Sequence, residues 1–510
     1  MKESEALVTK SAVQLRRLIG SKEISPVELL EACIARIEAV DPAVNAMAAT
    51  GYAQAREAAR AAERAVLNGA ELGLLHGLPI GVKDLEETAG LLTTYGSPLF
   101  RDFVPEADNV LVARLRAAGA IVVGKTNVPE MAAGANTRNV VWGATGNPFD
   151  PELNAGGSSG GSAVALACDM LPLCTGSDLG GSLRIPAAKC GVVGFRPSPG
   201  LVADSSKLLG WGPLPVVGPM GRTVADTCLQ LAATVGMAPE DPLSYPVDAA
   251  AFVTPAAVDL GGLRVAWTED FGVCSVDRDM RRTFRDKIGA MKHLFRRCDE
   301  VTFDFGDAHR CFDVLRAEGF VAAMRDAYQR DPGSLGPNTR ANYELGAAMS
   351  LSDVSWAHAE QTRLVRRLQS VYADYDVVLS PATPVTPFPW TQMYATEIDG
   401  ETQANYYRWL ALSYVITLTT HPALSLPCGL DYAGMPFGLQ VVGPFRGDRR
   451  TLGIAHAMEQ AFAASPSLRR PVPDLSKLAR ATPSLKSIVT MPPVLDGSRA
   501  PGARATTAPS

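Results

Sequence analysis

Gly156-Gly157-Ser158-Ser159-Gly160-Gly161-Ser162 runs straight into Ala163-Val164-Ala165-Leu166-Ala167, so four glycines interleaved with serines open onto a helix start. The segment lies inside a pattern of alternating elements, not at a shift in composition, which argues against a flexible linker. It lacks the Gly-Lys-[Ser/Thr] ending of a phosphate-binding loop. It also lacks the Gly-x-Gly-x-x-Gly register of a dinucleotide loop and an acidic residue after the next strand. What remains is a tight backbone turn that presents hydroxyl groups, as a catalytic loop does.

Outward from this loop, short apolar runs alternate with helical patterns. Leu78–Val82, Ala120–Gly124, Leu171–Thr175 and Val192–Phe195 read as strands, with helices near 109–118 and 223–235. Ser25-Pro26-Val27-Glu28 is a capping box with proline at the first helical position. Leu29, Leu30, Cys33, Ile34 and Ile37 follow it at helical spacing, and an alanine-rich helix covers 53–68. The second half repeats the alternation. Strands are expected at Leu263–Trp267, Asp376–Leu379, Ala423–Leu426 and Gly438–Val442, and helices near 278–297, 352–373 and 451–464. The implied class is α/β: a large mixed, mostly parallel twisted sheet with helices on both faces. The organisation expected is a helical region over 1–70, a core over 71–240, and the rest of the α/β domain with pocket elements over 241–470. A tail without fixed structure is expected from about 481 to 510, where Ala, Pro, Ser and Thr dominate.

Two further segments carry candidate chemistry. In Gly176-Ser177-Asp178-Leu179-Gly180-Gly181-Ser182-Leu183-Arg184, a serine follows two glycines, so successive N–H groups can point at one spot. In Gly77-Leu78-Pro79-Ile80-Gly81-Val82-Lys83-Asp84, a lysine ends an apolar strand. Burial lowers a lysine pKa and frees the neutral amine as a base. Asp178 and Arg184 flank Ser182 and are expected to brace its turn as an ion pair.

These three segments, in this order, resemble the amidase signature family. Gly124-Lys125-Thr126-Asn127-Val128-Pro129-Glu130, Gly146-Asn147-Pro148 and Cys190-Gly191-Val192-Val193-Gly194-Phe195-Arg196-Pro197 resemble it as well, and the similarity is strongest over about 70–225. The resemblance implies a Ser–cis-Ser–Lys triad: Ser182 as nucleophile, Ser158 as relay after a cis bond from Gly157, and Lys83 as base. It implies an oxyanion hole from the N–H groups of Leu179, Gly180, Gly181 and Ser182. Ala132 corresponds to a position whose carbonyl lines the acyl site, and Ser158 also borders substrate. Ser159, Asp178 and Arg184 are expected to support these groups from behind. The implied activity is hydrolysis of a carboxamide C–N bond, with esters or carbamates as further substrates, and the lack of a charged motif in the second half favours neutral, apolar or aryl amides. The glutaminase subunit of a tRNA-dependent amidotransferase shares the triad and is the alternative. A non-catalytic relative is disfavoured by the retention of all three residues.

Other features narrow the class. The chain has 510 residues, 47% hydrophobic and 20% charged, with 48 basic and 53 acidic residues and a net charge of −5. No basic run points to nucleic acid or to a membrane surface. Trp409 to Leu430 is uncharged but holds His421 and two prolines, and reads as a helix followed by the strand Pro422–Pro427. The nine cysteines form no CxxC pair and read as reduced thiols of a cytoplasmic protein. No histidine pattern suggests zinc, and neither metal nor cofactor is expected. The expected partners are an amide substrate and water, with the chain a monomer or homodimer. The aromatic segment Trp390 to Trp409, with Tyr394, Tyr406 and Tyr407, is read equally as pocket lining or as helix packing.

Overall fold

Lys83 ends a strand that is buried at every residue, and the sheet is built outward from that strand. The structure, a computed structural model, describes residues 6–494. The strands of the main sheet are β1 (Met47–Thr50), β2 (Pro79–Lys83), β3 (Ile121–Thr126), β4 (Leu173–Asp178), β5 (Val193–Arg196) and β6 (Val216–Gly221) in the first half. The second half adds β7 (Arg264–Trp267), β8 (Arg297–Glu300), β9 (Val377–Pro381), β10 (Ala423–Leu430) and β11 (Pro436–Val442). Their order across the sheet is β1-β3-β2-β4-β6-β5-β10-β11-β9-β7-β8, so both halves join one 11-stranded sheet.

The sheet is mixed, as expected, but it is not mostly parallel. Six neighbouring pairs are antiparallel and four are parallel. Continuous apolar runs show burial on both faces, which parallel strands require. Here antiparallel strands are covered on both faces too, so composition could not separate the two kinds. The parallel group β3-β2-β4 carries Lys83 at its C-terminal edge, the edge at which open α/β sheets form their sites.

The helices that position the site are short or long according to burial. Helix α1 (Pro26–Val44) starts at the expected capping box, where Ser25 accepts from the Val27 and Glu28 amides, and α2 (Tyr52–Leu67) follows it. Helices α3 (Gly160–Ala167) and α4 (Arg184–Cys190) are buried at every residue and pack on each other. Helix α5 (Val224–Ala232) packs on β5 and β6. A layer formed by α6 (Ala308–Arg330), α7 (Pro337–Ala347), α8 (Leu351–Val371) and α9 (Ala411–Thr419) lies beside the nucleophile segment. Helix α10 (Asp448–Ala463) packs against α5 and β10.

Three expectations need correction. The helix expected near 278–297 is Arg278–Met291, and a turn at Lys292–Leu294 then leads into β8. The 23-residue α6 was not expected at all. Its N-terminal half is buried around much of its circumference, so no single apolar stripe marks it. The tail expected from 481 has a placed first part. Leu485 is buried against Ala144 and Trp390, and the Thr482 and Thr490 amides donate to Pro42 and Val140 carbonyls at 3.1 and 3.0 Å. Only Leu485 and the half-buried Ile488 anchor this segment, so it carries no periodic signal. Residues 495–510 lie outside the described residues. Among the described residues no helix is long and apolar enough to cross a membrane. The uncharged stretch from Trp409 resolves into α9, a left-handed turn at Thr420, and β10.

Candidate active site

The strand edges bring the three sequence segments together. The backbone amide of Lys83 donates to Thr175 Oγ1 of β4 at 2.8 Å, tying the two strand ends. The Lys83 side chain is fully buried, and its Nζ donates to Ser158 Oγ at 2.7 Å and to Ser177 Oγ at 2.9 Å. Burial lowers the Lys83 pKa to about 7, against the opposing attraction of Glu86 and Asp178. An amine with that pKa is substantially neutral at ordinary pH and can accept a proton.

The glycine-rich loop is shaped by close approach. A Cβ on Gly160 would sit 2.2 Å from Thr137 Oγ1, and one on Gly161 would sit 2.3 Å from the Asn127 amide nitrogen. Only glycine lets this turn press so closely on its neighbours. The Gly157–Ser158 peptide bond is cis, as the resemblance implied. Ser159 ties this loop to the nucleophile segment, its amide donating to the Ser182 carbonyl at 3.2 Å. Its hydroxyl accepts from the Ser177 amide at 3.4 Å. The two segments are thereby held in register, with Ser158 and Ser182 on adjoining backbones.

Asp178 organises the turn that carries Ser182. Its carboxylate accepts from the Gly181 amide at 2.9 Å, from the Leu183 amide at 3.2 Å, and from Arg184 Nε and Nη2 at 3.0 and 2.9 Å. Arg196 adds a second cation at 3.4 Å. Burial alone would raise this carboxyl's pKa, but the two guanidinium groups outweigh it and hold the group well below its usual range. Arg184 is fully buried and also donates to Ser413 O, Gln440 Oε1 and Thr417 Oγ1, which fastens the turn to α9 and β11. The expected Asp178–Arg184 brace is thus present.

Of the four amides expected to form an oxyanion hole, one is already hydrogen-bonded within the turn. Gly181, in the left-handed region at φ 114°, spends its amide on Asp178. The amides of Leu179, Gly180 and Ser182 have no hydrogen-bond partner among the described residues. The Ser182 side chain is half-buried, and its hydroxyl also has no partner among the described residues. A free hydroxyl beside three free amides is the arrangement a nucleophile with an anion-stabilising donor set requires.

The wall facing this turn comes from the second half. A Cβ on Gly180 would lie 3.4 Å from Phe312 Cζ and 3.9 Å from Leu410 Cδ1. Phe312 stacks on Tyr414 with ring centroids 4.1 Å apart and meets Tyr407 edge-on. Tyr406, Tyr407 and Trp409 are buried, so this part of the aromatic segment packs beside the site. Ala132 follows Met131 in a left-handed turn, with φ of 56° and 48°. Its carbonyl accepts from the Gly134 amide at 3.0 Å, and no hydrogen bond among the described residues joins it to Lys83, Ser158 or Ser182. Sequence reasoning missed Ser177. Its signal was the two-residue period of β4, which puts Thr175 and Ser177 on the face that meets Lys83.

Comparison with known proteins identifies the family of this chain. The family model described as Amidase matches residues 28–452. A glutamyl-tRNA(Gln) amidotransferase subunit from Acaryochloris marina is 33% identical over 483 residues, covering 89% of this chain and 99% of the relative. An acylamidase from Rhodococcus erythropolis is 32% identical over 456 residues, covering 88% of this chain and 94% of the relative. The crystal structure of a bacterial aryl acylamidase of the amidase signature enzymes superposes with a TM-score of 0.83 at 27% identity, covering 94% of this chain and 98% of that one. With the family model spanning most of its length, the chain belongs to the amidase signature family of amidohydrolases.

Proposed function

We propose that this chain hydrolyses carboxamides through an acyl-enzyme on Ser182, with Ser158 as proton relay and Lys83 as base. The observation that carries the reading is the buried Lys83 amine 2.7 Å from the Ser158 hydroxyl, on a loop whose next residue bonds the Ser182 carbonyl. Ser182 Oγ attacks the carbonyl carbon as its proton moves to Ser158 and the Ser158 proton moves to Lys83. The oxygen that gains charge rests against the Leu179, Gly180 and Ser182 amides, where losing one such donor costs about a hundredfold to a thousandfold in rate. Lys83 returns its proton through Ser158 to the leaving nitrogen, and the C–N bond breaks. Water then repeats the sequence and frees the acid and Ser182.

The Phe312, Leu410 and Tyr407 wall beside Gly180 supports a substrate whose body next to the scissile bond is apolar or aryl. Esters and carbamates offer the same carbonyl to the same nucleophile. A second reading, a glutaminase subunit that supplies ammonia to a partner, is favoured by the amidotransferase relative. Steady-state assays of the purified single chain on anilides, aliphatic amides, esters, carbamates and glutamine separate the two. Turnover of anilides without any partner supports the first reading. Activity on glutamine alone, and only with added partner chains, overturns it.

A further inference from the structure

Helix α6 carries a stripe, Phe312, Arg316 and Phe320, spaced four residues apart along one face. Phe312 covers Gly180, and Phe320 is half-buried at the far end, so the stripe leads from the nucleophile turn toward solvent. Arg316 lies between them with a relative exposure of 6%. The groups its guanidinium touches are neutral. Nε donates to Asn342 Oδ1 at 3.1 Å, and Nη2 donates to the Tyr406 hydroxyl. The guanidinium also sits 5.0 Å from the ring centroids of Phe320 and Tyr407 and 5.5 Å from that of Tyr406.

No carboxylate pairs with Arg316 among the described residues. Asp313, three residues earlier on the same helix, is held instead by Arg408 at 2.8 Å. Nη1 has no hydrogen-bond partner there and keeps some accessible surface. A buried guanidinium without a counter-charge is costly, and aromatic faces and neutral acceptors offset only part of that cost. A planar, permanently charged fork with free N–H groups is suited to a carboxylate.

We propose that Arg316 is a specificity-determining residue that docks an anionic group of the amide substrate, a carboxylate or its isostere, one turn of α6 beyond Phe312, the residue that covers Gly180. The substrate class is therefore an amide with an apolar body and an anionic end. This rests on the Ser182 reading above and deepens it.

The test uses two matched pairs of substrates on the whole chain. One pair is the mono-p-nitroanilide of glutaric acid and its methyl ester, with the charge on the acyl side. The other is 4-acetamidobenzoate and its methyl ester, with the charge on the amine side. In wild type, amide cleavage of the acid should exceed that of the ester by at least tenfold in kcat/KM in one pair, mainly through KM. Arg316→Gln should erase that ratio, Arg316→Lys should keep part of it, and Arg316→Glu should invert it. Preference for the ester or indifference in both pairs overturns the proposal, and that comparison needs no variant to fold. Equal losses for acid and ester in Arg316→Gln also overturn it, since a purely structural role predicts them. An uncharged fluorophosphonate is run beside each assay. Wild type that does not label at Ser182 defeats the catalytic reading, whereas labelling at Ser182 without charge preference defeats the Arg316 proposal alone.

Discussion

Lys83 and Lys189 are both fully buried, and burial brings both to a pKa of about 7, yet their surroundings differ in kind. The Lys83 amine meets two hydroxyls, and one of them, Ser158, lies on the loop bonded to the Ser182 segment. The Lys189 amine donates to Asn154 Oδ1 at 3.1 Å and is boxed by the Phe388 and Trp409 rings at 4.5 and 5.0 Å. Neither ring nor an amide oxygen can carry a proton onward. A depressed lysine pKa therefore marks burial, and the hydroxyl path beside Lys83 is what supports the proposal that it serves as a base.

Four substitutions test that contrast. Ser182→Ala removes the group at the end of the path and should reduce amide turnover about a thousandfold or more, with loss of phosphonate labelling. Labelling at full rate in that variant would break the contrast at its catalytic end. Lys83→Ala should cost about a hundredfold to ten-thousandfold in kcat/KM, the range expected for general base removal. Ser177→Ala removes one of the two hydroxyls on the amine, and a loss of about twofold to tenfold is expected from one hydrogen bond. A loss as large as that of Lys83→Ala would show that proton transfer runs through Ser177 and not through Ser158. Lys189→Met should leave turnover within about threefold, by the same comparison of connectivity.

The Lys189 substitution should change stability instead. In the folded chain its pKa lies below 10.5, so the unfolded chain binds the proton more tightly. The destabilisation is full below pH about 7 and fades as the pH rises toward 10.5. Lys189→Met should thus gain about 1–3 kcal/mol over wild type at low pH, a gain that shrinks above neutrality. Urea unfolding at several pH values measures it. A gain that grows with pH would reverse the sign and refute the assignment of burial as the cause.

The same contrast explains what the sequence revealed. The Lys83 centre is built from short local segments in which glycine is sterically required, as at Gly160 and Gly161, so its spacing is fixed and readable. The sheet was readable as buried runs, but strand direction was not, because burial on both faces looks alike in either orientation. Gly181 was included in the oxyanion set through the family resemblance, and nothing local in the sequence shows that Asp178, three residues away, accepts from its amide. The second half is harder. Arg316 meets Asn342 and Tyr406, which are 26 and 90 residues away in the chain, and its helix is buried around much of its first half. A single arginine in such a helix forms no motif, and the expectation of neutral amides rested on the absence of a charged motif in this half of the sequence.

The central claim is best tested by the pH dependence of the Ser182 phosphonylation rate, measured by intact mass with an uncharged fluorophosphonate. Losing its proton makes Lys83 a base, so the wild-type rate should rise with pH through an inflection near 7 and then level off. In Lys83→Ala the rate should be far lower and the inflection absent. An inflection that survives in Lys83→Ala, or a wild-type rate that falls as the pH rises through 7, would contradict the account.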